Sequence, residues 1–426
     1  MKQFKIFLSI IIFLTAFIPG AVSAEEILNW QDCVKEAAKN HPDLISAREV
    51  VIESKASKDI AQSPLAPQIT SQAGTTLSKI QTSVKGSKTS TTNSYSVTGT
   101  QLIFDGFKTI DNTMAAKENI KSSQFAYKFT SSQVRFRLRS AYVSLLRSQE
   151  FIKITQDIYD IRKKNLDLIK LRYDSGIEHK GALLTAEANL AQAEYGIKQA
   201  KRDMEVAQSQ LIKEMGRSIY TSMFVQGDFI VKEPVNTKPD FVALSEINPS
   251  YLELDAATRA ADYNIRSAIA NFFPTISAQG TVGRQDSRWL PQTNQWNMGF
   301  SVSWPLFEGG LRIAQVGLAK AQFNQAQSTE RSAKDSIIVT LEETWQTLLD
   351  SLDNVEVRRK FLVADEERSK IADAQYSIGF LIFDNWTIIQ DNLVSSKRDF
   401  LDAQAAAMLA EANWIQAKGE TLEYEE

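Results

Sequence analysis

The chain has 426 residues, 43% of them hydrophobic and 23% charged, and its 48 basic side chains nearly balance its 51 acidic ones. This composition is that of a folded protein, and it excludes a disordered or collagen-like chain, a polytopic membrane protein and a nucleic-acid partner. Two histidines and a single cysteine provide too little for a His/Cys metal cage, a disulfide framework or a Cys/His catalytic pair. We therefore expect no metal and no cofactor.

Residues 1–24 predict a secretory signal peptide. Lys2 and Lys5 precede an apolar run, and small residues precede a cleavage point after Ala24. A retained membrane anchor is the alternative, but the apolar run is short and ends at Pro19. No later stretch has the ~20 uninterrupted apolar residues that a membrane helix needs. The mature chain is expected to leave the cytoplasm without a helical anchor.

The first half of the mature chain predicts a helix, a β-hairpin and a long helical hairpin. The expected positions are a helix at about 43–63, a β-hairpin at 68–104 with a polar loop at 85–93, and helices at about 107–172 and 178–225. The longest helix contains no proline or glycine. At ~1.5 Å per residue it would run for ~100 Å, which is too long for a compact globular domain.

The second half repeats this order of features. Pro249 and Pro274 match Pro42 and Pro67, and the segment FEGG from Phe307 matches FDGF from the first half. We therefore predict two structural repeats, 25–233 and 234–426. The second repeat has a helix at about 249–272, a β-hairpin at 275–306, and helices at about 307–375 and 380–420.

The last strand of the second repeat has the clearest alternation. Every second residue is apolar, the apolar set being Trp296, Met298, Phe300, Val302, Trp304 and Leu306, and the intervening residues from Asn297 to Ser303 are small or polar. This pattern is typical of a transmembrane barrel strand, although an edge strand of a β-sandwich alternates in the same way.

The returning helices carry heptads that alternate large and small residues. In the first repeat the seam is Ala186, Leu190, Ala193, Ile197, Ala200, Met204, Ala207 and Leu211. Alanine at every other core position allows close packing against the preceding long helix. An ordinary coiled-coil stalk would fit this seam equally well, but it would not explain the β-hairpins.

Two β-hairpins supply four strands per chain, which is too few for a membrane barrel. Unpaired strand edges in hydrocarbon cost several kcal/mol per polar group, and known barrels begin at about eight strands. The barrel must therefore be shared between chains. A dimer would give eight strands and a filled interior, whereas a trimer would give twelve strands and leave room for a channel.

These features, in the same order twice, resemble the TolC family of outer-membrane efflux proteins. The matching segments are the NHPDL start, the FDGF and FEGG junctions, and the Y-x-x-G turns that precede Ala/Leu heptads. The resemblance covers essentially the whole mature chain. It implies a mainly α homotrimer with a 12-stranded outer-membrane β-barrel, four strands per chain, continued by a long periplasmic α-helical barrel. The implied partners are outer-membrane lipid, a periplasmic adaptor and an inner-membrane transporter of the RND or ABC type.

The resemblance places the functional site at the periplasmic turns of the helical hairpins, which close the tunnel and meet the adaptor. Gly176 and Gly379 are expected to adopt the left-handed conformation that lets a long helix reverse. Tyr173 and Tyr376 beside them either pack the turn or contact the adaptor.

The family often has a carboxylate six residues after this glycine, but this chain has Ala182 and Asn385 there. The nearest acids are Asp384 and, one heptad later, Asp391, on one helix face. With Asn385 and Arg172 they are the candidate aperture residues. In a trimer Asp384 would form an acidic ring that filters cations, unless it is simply a solvated helix start.

The sequence thus predicts a passive export duct, not an enzyme, reaching from the outer membrane into the periplasm. A periplasmic coiled-coil adaptor or a structural tether without a pore is the alternative, but an adaptor would need a lipoyl-like β domain. An enzyme such as a barrel lipase is disfavoured because four strands cannot form its barrel alone. The cargo stays open among drugs, metal ions, toxins and polypeptides, because a wide tunnel selects little.

Overall fold

A computed structural model of the protein describes residues 26–82, 86–231 and 238–422. The predicted signal peptide, 1–24, lies outside the described residues, as does the predicted boundary between the repeats at 233/234, which stays a prediction.

Each repeat begins with shorter elements and continues into a long helical hairpin, which in the first repeat is followed by the short strand β4. The first contains β1 (Glu26–Leu28), α1 (Trp30–Asn40), α2 (Pro42–Gln62), β2 (Gln68–Thr82), β3 (Gly86–Phe104), α3 (Lys108–Asp174), α4 (Lys180–Met215) and β4 (Met223–Val225). The second contains α5 (Phe241–Ile247), α6 (Pro249–Ala270), β5 (Thr275–Asp286), β6 (Asn294–Ser303), α7 (Leu311–Ser377) and α8 (Phe383–Lys418).

The two longest helices confirm the predicted pillar. α3 and α7 have 67 residues each, which corresponds to ~100 Å. α4 and α8, with 36 residues each, return along them from the far end. α2 and α6, with 21 and 22 residues, occupy the half nearer the sheet. The predicted end of α4 at 225 was wrong, because Gly216 ends the helix at φ 75°. Gly419 ends α8 in the same way, at φ 83°.

The heptad seam packs as predicted, and all four of its alanines are buried: Ala186, Ala193, Ala200 and Ala207. α8 lies between α7 and the tip half of α3, and α6 lies between the same two helices nearer the sheet. α3 is thus surrounded by neighbours within one chain. α7 leaves much of its length exposed.

The largest hydrophobic core lies at the middle of the pillar. There α1 and a short parallel strand pair, β1 with β4, pack against α3 and α4. The side chains between them are fully buried and include Leu138, Leu145, Leu211, Met215 and Met223. Arg217 fastens this layer, since its guanidinium donates hydrogen bonds to the carboxylates of Glu26 and Glu36 at 2.5–2.9 Å. The β1–β4 pair was not predicted from the sequence.

The four long strands form one antiparallel sheet in the order β2-β3-β5-β6, which confirms the two predicted β-hairpins. β2 and β6 are its edges and have no partner among the described residues of one chain. The expected loop at 85–93 was wrong for residues 86–93, which pair with β2 as part of β3. Their composition is polar, but threonine favours strands. The β2–β3 ribbon consequently extends seven residue pairs, Thr76↔Thr92 to Thr82↔Gly86, beyond the end of β5.

The junction from strand to helix is a tight turn. Gly106 has φ 71°, and a Cβ atom there would lie 2.8 Å from the carbonyl oxygen of Ala270 at the end of α6. The side chain of Asp105 also holds the start of α3, because its Oδ2 accepts the backbone N–H of Thr109 in the first turn at 2.9 Å. The turn therefore docks the sheet directly onto the helices.

Over the described ranges, every helix is too short or too polar to be a candidate membrane-spanning helix.

Candidate functional site

The two hairpin turns at the far end of the pillar have the same backbone conformation. Gly176 and Gly379 have φ 73° and 83°, so the predicted left-handed conformation is confirmed. In both turns the residue after the glycine donates its N–H to a carbonyl oxygen five residues earlier, Ile177 to Arg172 and Phe380 to Gln375, each at 2.9 Å. This is the Schellman arrangement, which satisfies carbonyl groups that the helix end leaves free.

Three polar side chains join the two turns, and we call them the inter-hairpin cluster: Arg172, Glu178 and Tyr376. The hydroxyl of Tyr376 donates to Oε2 of Glu178 at 2.8 Å. Nη1 of Arg172 donates to the carbonyl oxygen of Tyr376 at 3.1 Å, and its guanidinium carbon lies 4.7 Å from the centre of the tyrosine ring. Nε of Arg172 lies 3.8 Å from the Glu178 carboxylate.

The inter-hairpin cluster is largely shielded from water. Tyr376 is 1% exposed, and the side chains of Glu178 and Arg172 are 9% and 15% exposed. Burial, followed by the hydrogen bond to Glu178, raises the pKa of Tyr376 above its ordinary value of 10.0. The phenol therefore stays protonated at neutral pH and acts as the hydrogen-bond donor.

Trp386 supports the cluster from the α8 side. Its ring stacks on that of Tyr376, with centroids 4.4 Å apart and planes 7° from parallel. Its Nε1 donates to Oδ1 of Asp373 at 2.7 Å, and Nε2 of Gln390 donates to the same oxygen at 2.8 Å. Ala182, at the position where the resemblance places a carboxylate, is fully buried in the surrounding apolar cluster. The carboxylate near this turn comes instead from Glu178.

The structure separates the four predicted aperture residues. Asp384 and Asn385 lie exposed on the first turn of α8. Asp391 pairs with Nη2 of Arg162 on α3, and Arg172 lies in the inter-hairpin cluster. Arg172 and Tyr376 are thus the two predicted site residues that come together. Glu178 was not predicted as a site residue, although it lies two residues after the turn glycine.

Ion pairs continue the contact between the hairpins toward the middle of the pillar. Arg162, Asp157 and Arg147 of α3 pair with Asp391, Lys397 and Asp402 of α8 at 2.5, 3.4 and 2.5 Å. One residue in each pair is at least half exposed, so each pair contributes little more than ~1 kcal/mol. The buried inter-hairpin cluster is the stronger polar contact.

The outer surface of the two turns is apolar, and we call it the tip patch: Ile177, Ile378, Phe380 and Ile382. These side chains are 65–84% exposed. Tyr173 is half-buried beside them, whereas Tyr376 packs inside the turn, one of the two roles left open for it. Across the described ranges, the His, Cys, Asp and Glu side chains form no group of three or more that could hold a metal ion.

The chain combines a four-stranded sheet that has open edges with ~100 Å helices that end in paired turns. This combination defines a subunit of a channel that crosses a membrane and continues as a helical tunnel. The sequence model described as outer membrane efflux protein matches residues 33–217 and 243–426. The chain therefore belongs to the outer membrane efflux protein family, as the resemblance indicated.

Individual relatives match over most of the length of the chain. The chain is 22% identical to the outer membrane efflux protein BepC of Brucella suis biovar 1, over 90% of this chain and 82% of that protein. It is 21% identical to the outer membrane protein TolC of Escherichia coli K12, over 94% of this chain and 84% of that protein. The solved open state of the MtrE outer membrane channel of Neisseria gonorrhoeae matches with a TM-score of 0.79 at 18% identity, covering 92% of this chain and 89% of that one.

The protein is thus an outer-membrane efflux channel, and the adaptor alternative is not favoured. Its fold is the predicted homotrimer, with a β-barrel in the outer membrane and an α-helical barrel extending into the periplasm. The family forms trimers that work with adaptor and inner-membrane pump components, and it is one of transport channels rather than enzymes.

Proposed function

We propose that the protein is a passive duct without catalytic activity, and that the inter-hairpin cluster holds its periplasmic end closed. The observation that carries this proposal is the buried contact of Arg172 and Glu178 with Tyr376, which joins α3–α4 to α7–α8 where both hairpins end. An opening that separates the hairpins must break these bonds and expose Tyr376.

The energetics favour a closed resting state. Separating a buried charged group from its partner costs about 1.5–3 kcal/mol for each hydrogen bond to a charged group. A partner that binds the separated hairpins more tightly would supply the free energy that opening requires.

Asp384 and Asn385 are our candidates for the rim of the aperture. Both are exposed on the first turn of α8, where an acid also interacts favourably with the helix dipole. Three copies of Asp384 would form a ring of like charge that attracts cations. Asp391, because it pairs with Arg162, is proposed to hold α8 against α3 instead of lining the rim.

We assign the tip patch, together with Tyr173, Gly176 and Gly379, to contact with a periplasmic adaptor. Phe380 is 84% exposed, and exposed apolar surface of this kind marks protein contacts. The adaptor would link the duct to an inner-membrane transporter of the RND or ABC type, which supplies the energy and selects the cargo.

Single-channel recording of the purified protein in planar lipid bilayers tests the duct and its closed state together. We expect a pore with small conductance and a clear increase in Glu178→Ala, which breaks the inter-hairpin cluster. Glu187→Ala is the matched control, because Glu187 is an exposed acid on the same hairpin. Absence of any pore, in both the parent and Glu178→Ala, would contradict the proposed duct and would favour the alternative of a structural tether or an adaptor.

A photo-crosslinking amino acid at position 380 tests the adaptor contact in cells that express the protein with its natural partners. We expect a crosslinked product that contains the adaptor. Tyr220, 64% exposed beyond the other end of α4, is the control position. Equal crosslinking at both positions, or adaptor at position 220 alone, would contradict the assignment of the tip patch.

A further inference from the structure

The register of the sheet places three complete layers of side chains on the face opposite the apolar one. Residues that pair directly across antiparallel strands lie on the same face. The layers are Gln68–Thr100–Gln279–Gly299, Thr70–Thr98–Thr281–Asn297 and Gln72–Ser96–Gly283–Gln295. Each contains one residue from every strand.

The alternate residues identify the other face as the lipid face. Its apolar members include Ile69, Val97, Val282, Trp296, Met298 and Phe300, which are 43–81% exposed in the single chain. A membrane barrel directs its apolar residues outward and its polar residues toward the interior. The three layers therefore line the interior of the barrel, and this step rests on the function proposed above.

All twelve residues of the three layers are threonine, glutamine, asparagine, serine or glycine, so the layers carry no charged side chain. Trimer symmetry extends this to the full circumference of the barrel. The neighbouring charges lie elsewhere: Arg284 and Asp286 alternate onto the outer face, as does Lys79. Lys88 is on the same face as the layers, but it pairs with Ile80 in the β2–β3 ribbon beyond β5.

We propose that the barrel segment is a sign-neutral conduit, which passes anionic, cationic and uncharged cargo with the same chemistry. Hydroxyl and amide groups both donate and accept hydrogen bonds, so they solvate either sign of charge. Rings of charged side chains are what give a pore its selectivity between anions and cations. Selection by charge must then occur in the helical tunnel or at its partners.

A cysteine in the middle layer measures the local potential directly. Thr281→Cys would be treated with cationic and with anionic methanethiosulfonate reagents, which both form a mixed disulfide with the thiol. Cys33 can stay, because it is 0% exposed, and the parent protein reports any background. We expect the ratio of the two rate constants to lie within about threefold of the ratio for a free thiol in the same buffer.

Two matched variants control for the direction of the face and for the sensitivity of the rate ratio to charge. Met298→Cys, on the lipid face at the same depth, should react with neither charged reagent. Thr98→Lys added to Thr281→Cys should shift the ratio about tenfold toward the anionic reagent, because Oγ1 of Thr98 lies 3.0 Å from Oγ1 of Thr281.

A ratio more than about tenfold from that of the free thiol in Thr281→Cys alone would overturn neutrality. Reaction at position 298 but not at 281, or at neither position, would overturn the assignment of the faces. Bilayer recordings of the same preparations separate these outcomes from failure of the proposed duct, which would show no pore at all.

Discussion

The two hairpin turns share a backbone and differ in their side chains. Gly176 and Gly379 adopt the same left-handed conformation with the same hydrogen bonds. The α3–α4 turn supplies the charged groups of Arg172 and Glu178, whereas the α7–α8 turn supplies the rings of Tyr376 and Trp386. The two repeats therefore have the same backbone conformation at the turns but different side chains where the turns contact each other. The contact forms between charged groups from one repeat and aromatic rings from the other.

The substitution expected to disrupt the contact between the two turns most strongly is Trp386→Ala. Trp386 is 2% exposed, and removing a buried tryptophan costs about 3–5 kcal/mol of local stability. We expect faster amide hydrogen exchange at the α7–α8 turn, and also at the α3–α4 turn because Tyr376 loses its support. Trp289→Ala, at a site 72% exposed, is the control and should leave both turns unchanged. Unchanged exchange in Trp386→Ala would show that the ring stack does not hold the turns together.

A double-mutant cycle of Glu178→Ala and Tyr376→Phe measures how strongly the unlike halves are coupled. Their hydrogen bond involves a buried carboxylate, so each single change should cost about 1.5–3 kcal/mol at the turns. The double variant should cost less than the sum by about 1 kcal/mol or more. Strict additivity, measured by hydrogen exchange at both turns, would mean that the two side chains do not act as a pair.

The two glycines test what the turns have in common. Gly176→Ala and Gly379→Ala should each destabilise their own turn by about 1–2 kcal/mol, because the Cβ atom of alanine makes the left-handed backbone conformation unfavourable. A Cβ atom at either position meets nothing within 4 Å, so backbone strain is the whole effect. Gly196→Ala, inside α4 and equally free of contacts, should stabilise by up to about 1 kcal/mol. A large difference between positions 176 and 379 would contradict the equivalence of the turns.

Tyr376 makes the stability of the contact between the two turns depend on pH in the alkaline range. Because the folded protein raises the pKa of Tyr376 above 10.0, its contribution is complete below pH 10 and is lost as the pH rises further. Hydrogen exchange of the parent and of Tyr376→Phe should therefore converge above pH 10. A constant difference between the two proteins from pH 8 to pH 11 would contradict this.

The smallest effect is expected for Asp384→Asn. The residue is exposed at the start of α8, so stability should change by less than about 0.5 kcal/mol. The permeability ratio of cation to anion, obtained from reversal potentials in a salt gradient, should fall. Asp335→Asn, on the exposed part of α7, is a control. An unchanged ratio would make Asp384 a solvated helix start only.

The sequence was sufficient for features that depend on spacing along the chain. Proline-free tracts predicted ~100 Å helices, matched prolines predicted the duplication, and the alternation from Trp296 to Leu306 predicted a strand, which the structure has as β6 at Asn294–Ser303. The left-handed glycines followed from the need to reverse a long helix. These are local rules, and the structure confirms them.

Contacts between distant parts of the chain could not be predicted in this way. Glu178 and Tyr376 are 198 positions apart, and no periodicity relates them. The strand at 86–93 looked like a loop because its pairing with β2, and not an apolar face, maintains it. By contrast, the end of α4 was predictable, since Gly216 follows Lys213 as a helix-ending signal.

The open edges of β2 and β6 have a genetic consequence. Because the barrel closes only when three chains contribute their strands, a subunit with a damaged edge inactivates the trimer that it joins. In a cell that makes intact and edge-damaged chains in equal amounts, only about one trimer in eight would consist of intact chains alone. A proline in the middle of β6 should therefore behave as a dominant-negative allele, whereas loss of the whole gene should be recessive.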